Sequence, residues 1–365
     1  MVIQKKKILD FSILSILFFC LIEKIYNRTG NSGIYSNYIY IIMLISLLVI
    51  KLIFNKGKIK NNSLELIGLC IVFCYGMNTY SLRYSVFFLI LLVMNDFVIE
   101  DLEKYHKLLI IIGFLFCCYQ LIFSSSRVSG YMISPTIFSC CTMISVLYLL
   151  FQKNFEIIDY FYIMLGIFSI YLTKSSSVFL FTVFLILYKF FVNLIRKLKA
   201  NKTLKNKNKI LYIFIILFLV VGGIIVFYNL NFFLSILKRD NRGASTNTRM
   251  FYYKLFFEQL CSSIKMVLIG NGAGYTTEFI KTVVSTKFYV PLHQDFLMFL
   301  CEYGVIGCLF MYLCYIKKMH MNWIMWLAII LCSFHNLVLS PVAVCLFVLT
   351  NNSLNSQYDK EKIWK

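Results

Sequence analysis

Charge is what this chain has little of. Only 14% of its 365 residues are Asp, Glu, Lys or Arg, whereas a soluble domain carries roughly 25%. With 60% hydrophobic residues and a mean hydropathy of +0.78, a soluble fold is excluded. Paired C-x-x-C spacings are absent too, so neither a zinc site nor a disulfide framework is expected from the 13 cysteines. All but Cys261 fall inside apolar runs, as small packing residues do. There is no P-loop, no dinucleotide fingerprint and no ATPase domain. Any chemistry must therefore run on a pre-activated substrate, and no cofactor or metal is expected. A small-residue cleavage site is missing after the N-terminal run Ile8–Ile22, so this segment reads as an uncleaved first span.

What is present is a succession of apolar runs, each near the roughly 20 residues that cross a bilayer. The fold class is all-α, a polytopic membrane protein of about 12 transmembrane helices. The runs lie near 8–23, 34–54, 64–79, 84–99, 107–123, 132–151, 157–173, 177–195, 210–228, 295–316, 323–338 and 339–351. The short pair around Arg83 and the final pair are the least regular, and the final pair also reads as one long helix or a re-entrant hairpin.

The net charge of +20 invites a nucleic-acid reading, but its distribution opposes one. Lys and Arg crowd into alternate short loops, Lys56–Lys60 and Arg196–Lys209 above all, which is the positive-inside pattern. No nucleic-acid motif accompanies them. The short loops on the opposite side hold only Lys24, Arg28, Arg83, Arg127 and Lys174. This bias predicts N-in and C-in, with one large extracytoplasmic loop before the last three spans. The expected organisation is an N-terminal bundle (1–228), the loop (229–294), and C-terminal spans with a short tail (295–365). Matched halves of the transporter kind are not visible.

The loop is the interval that departs from the scaffold. Its basic residues, Arg242 and Arg249 among them, suit an anionic ligand. Arg249 follows Thr246, Asn247 and Thr248, any of which can cap a helix whose apolar stripe is Phe251, Leu255, Phe256, Leu260, Ile264 and Val267. An Arg in a first helical turn joins free backbone N–H groups in holding an anion. A solvated surface Arg is the alternative. Gly270–Gly274, with Gly272 at its centre, marks a turn that brings Arg249 and His293 towards each other. His293 stands at the mouth of a span, where it serves as a general base or caps the helix.

Asp295 and Glu302, seven residues apart, share one helix face, and His293 points away from Glu302. Glu302 is therefore expected to be structural rather than catalytic. Gly304 and Gly307 are expected to allow close helix packing. Arg83, Arg127 and Lys174, at one surface, are either snorkelling cations or a cradle for pyrophosphate. His335-Asn336 reads as a bonded polar pair.

The order of these features resembles the bacterial O-antigen polymerase and ligase family, the Wzy-type polysaccharide polymerases in particular. The resemblance rests on Arg249-Met-Phe-Tyr-Tyr, Leu268-Ile-Gly-Asn-Gly-Ala-Gly274, His293-Gln-Asp-Phe-Leu297 and Glu302-Tyr-Gly-Val-Ile-Gly307. Arg127-Val-Ser-Gly130 with Pro135 adds to it. One departure is Thr173-Lys174-Ser175, where the family often carries Ser-Arg; an ammonium replaces a bidentate fork there.

The resemblance implies an inverting, metal-independent glycosyltransferase of the bacterial cytoplasmic membrane, active on its extracytoplasmic face. It would join oligosaccharides linked to undecaprenyl pyrophosphate into a surface polysaccharide, O-antigen or capsule. Arg249 and His293 would be catalytic, and Arg127, Arg83, Lys174, Arg242 and Asp295 would bind substrate. A chain-length regulator and a flippase of the same pathway would be its protein partners. Ligase-type transfer to another acceptor, and a flippase for the same lipid-linked glycan, are the rival readings.

Overall fold

The computed structural model describes residues 10–13, 15, 33–54, 63–74, 78, 80–94, 97–99, 101–123, 128–132, 134–200, 242–284, 294–318, 323–334 and 340–358. Among them every regular element is a helix and no strand occurs. The expected first and ninth spans fall largely or wholly outside these residues, as does His335-Asn336.

Seven helices make the first part: α1 (Gly33–Phe54), α2 (Ser63–Cys74), α3 (Ser81–Met94), α4 (Leu102–Phe123), α5 (Pro135–Phe151), α6 (Ile157–Leu172) and α7 (Ser176–Ala200). Three form the loop region: α8 (Arg242–Cys261), α9 (Ile264–Ile269) and α10 (Tyr275–Val284). Three more close the chain: α11 (Asp295–Lys318), α12 (Trp323–Ser333) and α13 (Pro341–Tyr358). The final pair of runs is thus two helices.

Among the described residues three helices are long and apolar enough to cross a membrane: α4, Ser176–Asn193 within α7, and Asp295–Cys314 within α11. Shorter apolar helices, α3, α5 and α6 among them, pack with these. α3 is apolar all round, and apart from Arg83 every residue in it is buried, as a helix at the centre of a bundle must be. It lies between α1, α2 and α13, while α13 also rests on α5. α6, by contrast, turns Ile157, Phe161, Met164 and Phe168 outward, the apolar exterior that a lipid environment solvates.

Polar side chains fix the directions of these helices at one end. Asn352 donates to the carbonyls of Met94 (2.9 Å) and Phe97 (3.2 Å), and the Lys51 ammonium to that of Val93 (3.0 Å), so the last carbonyls of α3 are satisfied. Gln152, after α5, donates to Asp159 in the first turn of α6 (2.7 Å). α3 and α5 therefore end together where α6 begins. The start of α3, with Arg83, and the end of α6, with Lys174, lie at the opposite end of the bundle.

Candidate functional site at the glycine turn

A second, smaller core gathers the loop region. Tyr252, Phe256 and Leu260 of α8, at helical spacing, pack with Met266, Ile280, Leu297 and Cys301 from α9, α10 and α11. Two residues of the expected stripe, Phe251 and Ile264, are exposed instead. The reason is that α8 ends at Cys261 and its buried face runs through Tyr252. A second correction concerns Arg249. Since α8 begins at Arg242, Arg249 lies two turns inside it, and Thr246–Thr248 are helical rather than caps. The backbone N–H groups around Arg249 are thereby used within the helix, so the argument from a helix N-terminus does not apply. Any anion held at Arg249 is held by its side chain.

The Gly270–Gly274 turn is built against α11. Asn271 N–H donates to the Cys301 carbonyl (3.1 Å) and Gly272 N–H to that of Glu302 (2.7 Å). These carbonyls are free because α11 is broken. Gly304 has φ +66° and ψ −172°, so the run expected as one helix over 295–316 has a kink inside it. Gly304 thus allows a close approach, but of backbone to backbone across a helix break, not of one intact helix to another. A Cβ on Gly304 would meet the Leu268 carbonyl and Ile269 nitrogen at 2.2–2.4 Å. Reciprocally, a Cβ on Gly270 (φ +72°) would meet the backbone of Glu302 and Tyr303 at 2.5 Å. At Gly307 an added Cβ would meet Tyr303 of the same element.

Glu302 lies at the centre of this interlock. Its carboxylate accepts from the Tyr84 hydroxyl (2.5 Å) and the Thr276 hydroxyl (2.6 Å), and from the N–H groups of Gly274 and Thr276. Those N–H groups are at the start of α10, so a carboxylate from another helix does the work of an N-cap and complements the helix dipole. Glu302 and Tyr84 are both buried. Asp295, seven residues earlier on α11, is buried as well, near the phenols of Tyr84 and Tyr312.

The start of α3 closes the turn from the other side. Asn78 Nδ2 donates to the Ala273 carbonyl (2.9 Å), while its Oδ1 accepts from the N–H groups of Tyr80 (3.0 Å) and Ser81 (2.8 Å). The Tyr80 ring covers Gly274. Its hydroxyl donates to Glu278 (2.8 Å) and accepts from Lys281 (3.3 Å), and Lys281 pairs with Glu278 at 2.9 Å. The Glu278 carboxyl is held below its ordinary range, first by the Lys281 hydrogen bond and then by that of Tyr80. Arg83, one turn along α3, is exposed. Lys174 follows α6 with φ +55°, a left-handed conformation in a residue other than glycine.

The structure therefore brings Glu302, Gly272 and Gly304 together and sets Arg83 and Lys174 at the same end of the bundle. It packs α8, which carries Arg249 and Arg242, against α11. His293 and Arg127 lie outside the described residues. Among the described residues no group of His, Cys, Asp or Glu is arranged to hold a metal ion.

With this geometry in place the comparison with known families is informative: residues 161–312 match the family model of the O-antigen ligases. That stretch is similar to the O-antigen ligase family. The O-antigen ligase match starts in α6 and ends in α11, and so takes in Lys174, Arg249, the glycine turn, Glu302 and Gly304. It points to polysaccharide assembly at a membrane. No curated protein and no solved structure matches the chain.

Four residues that shape the site, Asn78, Tyr80, Tyr84 and Thr276, were not singled out from the sequence. Asn78-Thr79-Tyr80-Ser81 has the form of a helix cap and was readable as one. Tyr84, a single tyrosine in an apolar run, carries no such signal. His106 was also passed over: its ring lies between the hydroxyls of Ser145 (3.0 Å) and Thr350 (3.2 Å) and stacks on Tyr148. It joins α4, α5 and α13 as a bonded core histidine.

Proposed function

We propose that the chain is a glycosyltransferase that polymerises oligosaccharide repeat units carried on undecaprenyl pyrophosphate. The donor brings its own activation, since the pyrophosphate is the leaving group. In this reading the Arg249 guanidinium, with Arg242, Arg127, Arg83 and Lys174, neutralises the pyrophosphate as the glycosidic carbon–oxygen bond breaks. His293 takes the proton from the acceptor hydroxyl as that oxygen attacks from the opposite face, which inverts the anomeric centre. Asp295 orients the acceptor side. No metal enters these steps.

The observation that carries the reading is the O-antigen ligase match over 161–312. It takes in the loop helices, the glycine turn and the broken helix, which are interlocked. The likeness to O-antigen ligases also favours ligase-type transfer of a finished chain to another acceptor.

A glycan ladder from a deletion strain separates the readings. Single repeat units at the surface mean a polymerase, and lipid-linked polymer left untransferred means a ligase. Intracellular build-up without surface units means a flippase. Arg249→Ala and His293→Ala should each insert normally and abolish elongation; normal polymer length in both would overturn the site assignment.

A further inference from the structure

We infer that α9, read from sequence as part of an extracytoplasmic loop, is submerged in the bilayer leaflet on the side where α11 begins, with Ile264, Leu268 and Ile269 against acyl chains. The first observation is depth. α11 becomes apolar enough to cross a membrane from Asp295 onward. Gly304 is nine residues further on, about 13 Å along a helix, and half of a hydrocarbon core is about 15 Å. The end of α9 touches the chain at that level, since the Leu268 carbonyl and Ile269 nitrogen are the atoms a Cβ on Gly304 would strike.

The second observation is the surface α9 presents. Ile264 is 79% exposed, and Leu268, Ile269 and the neighbouring Phe257 of α8 are exposed as well. Only Met266 of α9 is buried. This apolar surface adjoins α11, which exposes Ile306, Leu309 and Leu313 directly beyond Gly304. A lipid-facing helix and an exposed apolar segment packed on it call for the same solvent.

Lys265 lies between the apolar positions, and its stem is long enough to carry the ammonium up to the phosphate level. The exposed ion pair of α8, Lys254 with Glu258, sets the boundary. α8 rests at the interface and α9 below it. The α9 backbone pairs within the helix from the Val267 N–H, which donates to the Ser263 carbonyl at 3.1 Å, to the Gly270 N–H, which closes on the Met266 carbonyl at 3.0 Å; its first N–H groups are at the end towards α8 and the interface. The glycine turn is then approached from within the leaflet as well as from water. This inference does not rest on the proposed reaction, because a chain that transfers no sugar would show it equally.

The test uses the full chain in permeabilised native vesicles, with a membrane-impermeant maleimide reaching both faces and labelling read at each position by peptide mass spectrometry. Thr282→Cys, on the exposed side of α10, should label. Ile264→Cys should fail to label in membranes and label after detergent solubilisation. A companion variant, Leu268→Trp, should gain emission over the parent that brominated phosphatidylcholine quenches. Labelling of Ile264→Cys to the level of Thr282→Cys in membranes overturns the proposal. So does protection without quenching, which would mean that another segment or a second copy covers α9.

Discussion

Tyr84 and Glu302, 218 residues apart in the chain, share a 2.5 Å hydrogen bond sealed inside the bundle. It ties the innermost helix, α3, to the helix break that holds the glycine turn. Glu302→Ala would leave the Thr276 hydroxyl and the first N–H groups of α10 without their acceptor. The expected cost is ~3 kcal/mol, against about 1 kcal/mol for Tyr84→Phe, which removes a donor and strands only part of the carboxylate. Thermal unfolding in detergent, run as a double-mutant cycle, should show the two substitutions to be non-additive.

Gly304 faces the backbone of Leu268 and Ile269, and Gly270 that of Glu302 and Tyr303, so relief by a rotamer change is not open to either. Gly304→Ala adds a methyl that meets main-chain atoms at 2.2–2.4 Å and forces a residue with φ +66° to carry a Cβ. That conformation, open essentially to glycine alone, by itself costs on the order of 1–3 kcal/mol, and the backbone shift comes on top. Limited proteolysis should find α9 and α10 released in Gly304→Ala and Gly270→Ala. Gly113→Ala, which meets only the side-chain rings of Phe138 and Tyr131, should leave the glycine turn protected.

Lys174 separates strain from charge. It stands just past the end of α6, where its N–H donates to the Tyr171 carbonyl at 3.0 Å, in a position that usually falls to glycine or asparagine. Lys174→Gly removes a left-handed penalty of about 1–2 kcal/mol and adds unfolded-chain entropy worth about 0.5–1 kcal/mol, so a net gain of about 0.5–1 kcal/mol is expected. If the ammonium also helps hold a pyrophosphate, the same variant should lose polymer length while melting higher. Unchanged polymer would leave Lys174 a conformational residue only.

Much of the helical plan was legible because an apolar run of crossing length admits little else. The helix face shared by Asp295 and Glu302 was legible for a similar reason: seven residues return a helix to nearly the same azimuth, and both side chains are buried. The start of α8 was not. Thr246, Asn247 and Thr248 read locally as a cap, yet packing of Tyr252, Phe256 and Leu260 carries the helix back to Arg242. The break at Gly304 was also hidden, since it is set by the backbone of 268–269, a contact that no local pattern announces.

The Tyr80–Glu278–Lys281 group gives a pH dependence of stated sign. Glu278 is held below its ordinary value by Lys281 and Tyr80. Its contribution is present above the unfolded carboxyl pKa and lost as pH falls through the lower folded value. Lys281 is raised, first by the Glu278 hydrogen bond. Its contribution is present below the unfolded lysine pKa and lost as pH rises through the folded one. Hydrogen-exchange protection of α10, taken relative to the intrinsic rate at each pH, should therefore be greatest between these limits and fall in acid, and Glu278→Gln should flatten the acid side.

Asp159 provides the test at the far end of the bundle. It is fully buried in the first turn of α6, where it meets the Lys107 ammonium at 2.7 Å, Gln152 Nε2 at 2.7 Å and the Glu156 N–H at 2.8 Å. Lys107 also pairs with Glu103 at 2.5 Å, so one ammonium serves two carboxylates on α4 and α6. Lys107→Met removes the only cation of this group and leaves a buried carboxylate with neutral donors alone; breaking such a pair costs ~3 kcal/mol. Asp159→Asn keeps the shape and removes the charge, but it also removes an acceptor at the start of α6, so about 1–2 kcal/mol is expected. The double variant should recover part of the Lys107→Met loss, because the stranded charge is gone. Melting temperatures of the three proteins in detergent decide it, and a double variant as unstable as the sum of the singles would mean that Lys107 and Asp159 act independently.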